Sequence, residues 1–161
     1  MVGSGSGAYF WSEGSGTGKT SVACLLLLKY LANNMVSSFL DEIATPVLYL
    51  NTVEFLDKLR ASMSRFDEDF DNLWRDQFTN KAPQLLLLDD IGAERPSDWV
   101  RERLYSLINY RWSNGLSTIY TSNISPEKIK DVVGTRVHSR IFCQKNLVVR
   151  FDGSDRRITN G

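Results

Sequence analysis

The sequence predicts an α/β fold, a parallel sheet flanked by helices, and three observations predict it. The glycine-rich stretch "GSGTGKT" (14–20) stands between a short apolar run and a long apolar helical pattern. The run "QLLLLDD" (84–90) is continuously apolar until it meets two carboxylates, as expected of a strand covered on both faces. Apolar runs and helical patterns then alternate along the chain, which is the order of a doubly wound sheet.

Element by element, "AYFW" reads as the first strand, followed by the glycine-rich turn and by a helix over "KTSVACLLLLKYLANN" that ends near Asn33 and Asn34. "TPVLYLN" reads as a second buried strand. Asn51 and Glu54 have capping-box spacing for a helix through "TVEFLDKLRASM". In the acid-rich segment that follows, Phe66, Phe70, Trp74 and Phe78 recur every four residues, one apolar stripe read as packing on the body of the protein. After "QLLLLDD", Ser97 or Asp98 caps a helix over "DWVRERLYSLINYRW", which Asn114 and Gly115 close. "LSTIYTSN" is a fourth strand, Ser125-Pro126 opens a short helix, "TRVHSRIF" makes another, and "NLVVRFDG" is the last strand.

The chain has 161 residues, enough for one core and too few to suggest two. Nineteen basic and nineteen acidic residues cancel, so net charge steers it towards neither nucleic acid nor membrane, and any nucleic-acid contact is local. Cys24 and Cys143 lack metal-ligand spacing and read as buried thiols of a reducing compartment. The apolar runs fall far short of the roughly 20 residues that cross a bilayer. A soluble, cytoplasmic protein without membrane partners is expected. The opening "MVGSGSG" has linker composition, so residues 1–7 are read as a linker or cloning scar and 8–161 as one domain.

The glycine-rich turn has the context of a phosphate-binding loop: strand before, helix after. Gly14, Ser15, Gly16, Thr17 and Gly18 would turn backbone N–H groups around phosphate oxygens at the positive end of the following helix, which opens with Lys19, Thr20 and Ser21. Lys19 would reach the β- and γ-phosphates, and the Thr20 hydroxyl would ligate Mg²⁺. Where G-x-x-x-x-G-K-[ST] has its first glycine the chain has Glu13; Glu13 is expected to face solvent, with Gly14 supplying the missing backbone freedom one position later. Asp89 is placed to hold Mg²⁺ through water and Asp90 to polarise the attacking water. Asp90 is one methylene shorter than the glutamate common there, which predicts slow or partner-dependent hydrolysis. Asn123, closing the fourth strand, would orient that water if its strand lies between the strands of the two motifs; otherwise it is a turn-forming asparagine.

Beyond these motifs, "GSGTGKT", "LLLLDDIGAERPSDWVRERLYSLINYRW", "STIYTSN", "GTRVHSRI" and "GSDRR", in this order and spacing, resemble the AAA+ domain of bacterial replicative helicase loaders of the DnaC/DnaI type. The resemblance spans about Ala8 to Arg157. It implies a P-loop NTPase core without a full C-terminal lid, a Mg²⁺-dependent ATPase that turns ATP into ADP, and three partners: single-stranded DNA, a hexameric replicative helicase, and further copies of the chain joined through the bound nucleotide. It assigns Arg140 as an arginine finger for a neighbouring subunit and Arg156, or failing it Arg157, as a sensor on the nucleotide of its own subunit. Arg136 and His138 flank the finger, and the lone histidine is read as packed or solvated. Lys58, Arg60 and Arg65 fall where such loaders carry DNA-contacting helices. Family members usually carry an N-terminal helicase-binding region, and the resemblance therefore implies an ATPase core cut free of its docking part. Two other readings stay open: a transposition helper of the IstB type, which would grip duplex DNA, and an ATP-gated adaptor with negligible hydrolysis.

Overall fold

A computed structural model describes residues 5–40, 46–65, 72, 74–79, 81–153 and 155. Its elements are β1 (Ala8–Trp11), α1 (Lys19–Leu40), β2 (Val47–Asn51), α2 (Thr52–Arg65), β3 (Leu85–Asp89), α3 (Asp98–Ser113), β4 (Ser117–Ser122), α4 (Ile129–Val133), α5 (Thr135–Ile141) and β5 (Leu147–Arg150). The five strands form one sheet in the order β2-β3-β4-β1-β5, every neighbouring pair parallel. All strands therefore end on the same side. Crossing from β1 to β3 passes over β4, which leaves a crevice at the carboxyl ends of these three strands.

The alternation of side chains along each strand divides the core in two. Leu86 and Leu88 of β3, Tyr9 of β1 and Tyr120 of β4 face a cluster built with Phe55, Leu56 and Leu59 of α2, Val100, Leu104, Leu107 and Ile108 of α3, and Ile129, Val133, Val137 and Ile141 of α4 and α5. Leu85, Leu87, Ala8, Phe10 and Ile119 face the opposite way, onto Ala23 and Leu27 of α1. The predicted stripe is met where it is described: Trp74 stacks on Phe55 at 5.8 Å and Phe78 on Tyr110 at 5.4 Å. Phe66 and Phe70 lie outside the described residues.

Three expectations are corrected. α1 does not stop at Asn33 and Asn34 but runs to Leu40; the Asn34 amide donates to the Tyr30 carbonyl at 2.7 Å, satisfying itself inside the helix instead of ending it. β2 is an edge strand, with Leu50 buried and Tyr49 43% exposed. Cys24 and Cys143 are partly exposed free thiols.

Other signals hold as read. Glu54 N donates to the Asn51 side chain at 3.1 Å at the start of α2. Of the two candidate caps of α3, Ser97 accepts from Val100 N at 3.2 Å. In the glycine-serine opening, packing demands glycine at position 7: Gly7 donates to Asn146 Oδ1 at 2.6 Å, and a Cβ there would lie 2.2 Å from the Thr118 carbonyl oxygen.

Candidate functional site

The crevice gathers the polar ends of β1, β3 and β4 around the start of α1. Lys19, the first residue of α1, is 7% exposed and donates from Nζ to Ser12 Oγ, to the Gly14 carbonyl at 3.0 Å and to Asn123 Oδ1 at 2.8 Å. Asn123 donates through its amide nitrogen to Asp90 Oδ1 at 3.1 Å. One asparagine thus bridges the loop lysine and the second carboxylate. The sheet order meets the condition set for it, since β4 lies between β1 and β3.

Asp89 is held from several sides. Its Oδ1 accepts from Thr20 Oγ1 at 2.8 Å and Thr121 Oγ1 at 2.6 Å, its Oδ2 from the Tyr49 hydroxyl at 3.0 Å, and its carbonyl from Thr52 Oγ1 at 2.8 Å. Burial, then the bond and charge of Asp89, pushes the Tyr49 phenol up to about 12. Asp90 has φ 59, a left-handed conformation that aspartate tolerates better than most residues, and its N–H donates to Thr121 Oγ1 at 2.9 Å. Burial first, and the neighbouring Asp89 charge second, raise the Asp90 carboxyl above its usual value, with Lys19 opposing.

The loop has the shape of a phosphate cradle. Gly16 and Gly18 have φ 72 and 96, where glycine turns its N–H inward at no steric cost. Gly14 does not: its φ is not positive and a Cβ there would meet nothing within 4 Å, so it contributes a carbonyl to Lys19 and not backbone freedom. Glu13 is exposed, as expected. Residues Gly16 to Ser21, with Val22 and Leu25, line a cavity of about 420 Å³. Ser15 Oγ donates to Asp155 at 3.3 Å, which sets that carboxylate beside the loop.

The residues fit the groups they were read for. A Cβ at Gly16 would lie 1.6 Å from the Asp155 side chain, so the loop approaches that carboxylate only as glycine. Thr20 and Asp89 present hard oxygens side by side, 2.8 Å apart. That donor set suits Mg²⁺, which keeps waters and shares its shell with phosphate.

The arginine expected to act as a finger does not join this cluster. Arg140, on α5, donates from Nε to Asn109 Oδ1 at 2.8 Å and lies over the rings of Tyr105 at 4.9 Å and Trp112 at 5.5 Å. Three residues of one α3 face therefore hold its guanidinium. Arg136 lies over Tyr105 as well, and His138 is packed, bonded to the Pro126 carbonyl and stacked on Phe142. Arg156 and Arg157 lie outside the described residues. Arg60 lies over Trp99 at 4.8 Å, Lys58 is exposed, and the side chain of Arg65 is outside the described part.

Sequence reasoning missed Ser12, Tyr49, Thr52 and Thr121, all bonded to site residues. Thr121 had a signal in "YTSN", two positions before Asn123, and Ser12 is local to the loop it bonds; Tyr49 and Thr52 are placed by the pairing of β2 with β3, which no local pattern reveals.

No protein-family profile matches the chain. The replicative helicase loader DnaI of Bacillus subtilis (strain 168) is 28% identical over 171 residues, covering 97% of this chain and 49% of its own length. The chain spans about half the length of the curated relatives it matches. Among solved structures, a DnaC helicase loader superposes with a TM-score of 0.71 at 27% identity, over 94% of this chain and 81% of that one. The replication initiator DnaA bound to AMPPCP and single-stranded DNA has a TM-score of 0.68 at 19% identity, over 94% and 42%, and shows the fold alone. The sheet is that of a P-loop NTPase core, and the chain's relatives in sequence and structure are AAA+ domains of the DnaC/DnaI loader and DnaA initiator type.

Proposed function

We propose that this chain is the ATP- and Mg²⁺-binding AAA+ unit of a helicase loader, hydrolysing ATP slowly at a site shared between copies of itself. The observation that carries the reading is the convergence of Lys19, Thr20, Asp89, Asp90 and Asn123 at one end of the sheet, beside a cavity lined by the glycine loop. In this reading the loop N–H groups and Lys19 bind the phosphates, and Thr20 with Asp89 holds the metal, which supplies charge neutralisation at the β- and γ-phosphates when bound. Asp90 and Asn123 orient the attacking water. Arg140 completes the site of a neighbour, and Arg156 reads the nucleotide of its own chain.

Likeness to helicase loaders supports single-stranded DNA and a hexameric replicative helicase as partners. No helix among the described residues is long and apolar enough to cross a membrane, in keeping with work in the cytoplasm. Hydrolysis is slow because Asp90 is short and tied to Asn123.

Calorimetric titration of MgATP into the Lys19→Ala variant tests the assignment. Affinity should fall by about tenfold or more, since a charge-assisted bond to phosphate is lost from a buried position. Wild-type affinity in a folded variant would overturn it.

A further inference from the structure

Tyr49 has no place in the phosphate-loop reading, yet it closes the one side of Asp89 that the core leaves open. The register pairs Tyr49 with Leu87, and Leu85, Leu87 and Asp89 alternate onto the face covered by α1. Tyr49, Asp89 and Thr20 therefore meet on one face of the sheet. Thr121, 1% exposed, and Thr52, fully buried, hold Asp89 from inside, on Oδ1 and on the carbonyl. Among the described residues it is the hydroxyl of Tyr49, a residue 43% exposed, that engages Oδ2, at 3.0 Å.

We infer that Tyr49 is a positioning residue for the metal-facing carboxylate: its phenol fixes Oδ2 while Thr20 and Thr121 fix Oδ1, which sets the plane of Asp89 beside Thr20. The inference rests on the proposed Mg²⁺ role of Thr20 and Asp89. A carboxylate gripped on one oxygen pivots about that contact; gripped on both, it keeps its orientation toward a hydrated cation next to the Thr20 hydroxyl. Mg²⁺ demands a near-octahedral shell and keeps its waters, so its binding is sensitive to that orientation.

The test is Tyr49→Phe, which removes the hydroxyl and keeps the ring. Affinity for a fluorescent, non-hydrolysable ATP analogue is measured in EDTA and in Mg²⁺, and the metal effect is the ratio of the two affinities. Loss of an outer-shell partner typically weakens a metal site about 10- to 100-fold; with water able to replace a half-exposed phenol, the Mg²⁺ ratio should fall roughly three- to tenfold. Affinity in EDTA should stay within about twofold.

An unchanged Mg²⁺ ratio in the variant overturns the inference and leaves the metal site intact. Equal weakening in EDTA and in metal makes Tyr49 a structural residue and overturns it too. A wild-type ratio near one would instead remove the Mg²⁺ reading of Thr20 and Asp89, and the inference with it.

Discussion

Gly16, in the cavity-lining glycine loop, and Asp90, after β3, both hold left-handed backbone, and they differ in what they tolerate. At φ 72, Gly16 would become strained with any side chain, and a Cβ would also displace the Asp155 carboxylate. Gly16→Ala should lower stability by roughly 1–2 kcal/mol, the cost of left-handed backbone for an L-residue, readable from the denaturant midpoint. An unchanged midpoint would mean that the loop adopts another conformation in solution. Glu94 makes a different prediction. It is 7% exposed, accepts from Gly92 N at 2.8 Å through Oε2, and has no partner on Oε1. Burial raises its carboxyl above the usual 4.5. The folded state therefore binds this proton more tightly than the unfolded chain, so the contribution is fully present below pH 4.5 and is lost as pH rises through the folded value. Glu94→Gln should flatten that part of the stability profile relative to wild type, measured by denaturant melts from pH 4.5 to 7. The Lys19, Thr20, Asp89 and Asp90 cluster was legible because each motif is contiguous in sequence. Tyr49 was not, because the pairing of β2 with β3 brings it to Asp89.

Among the secondary-structure elements, "QLLLLDD" declared β3 as an inner strand, whereas nothing in "TPVLYLN" distinguishes an edge from a centre. Both runs are apolar throughout, and the difference arises only when β2 pairs on one side. The end of α1 was misread for a related reason: asparagine breaks a helix when its side chain competes with the backbone, and Asn34 instead bonds the carbonyl one turn back. Arg111 shows an element tied down by a buried charge. At 1% exposure, its guanidinium donates to Thr118 Oγ1 at 2.9 Å, to the Pro83 carbonyl at 3.0 Å and to the Ser117 carbonyl at 2.6 Å, joining the end of α3 to the starts of β3 and β4. Burial lowers its pKa to about 10, so it stays charged at neutral pH. Arg111→Leu takes a charged donor away from three buried acceptors and should cost roughly 3 kcal/mol or more. Because these bonds lie at the opposite end of the sheet from the crevice, nucleotide affinity of the folded variant should be unchanged; a loss comparable to that of Lys19→Ala would contradict this division.

For the molecule as a whole, the fold places the nucleotide cavity and Arg140 on separate surfaces, and α3 holds the guanidinium through Tyr105, Asn109 and Trp112. In the proposed function a single copy would thus carry both halves of a shared site without joining them. Arg140→Ala should leave ATP affinity within about twofold of wild type and cut hydrolysis by at least tenfold, as removal of a charge-stabilising arginine does elsewhere. Equal loss of binding and turnover would make Arg140 structural. The fold class was legible from the alternation of strands and helices, while separation of the two surfaces needed the packing of α5 on α3. The deciding experiment is specific ATPase activity against protein concentration, with and without single-stranded DNA. Activity that rises with concentration and responds to the strand is the predicted result. A flat line at background while MgATP still binds would contradict the shared site and describe an ATP-gated adaptor instead.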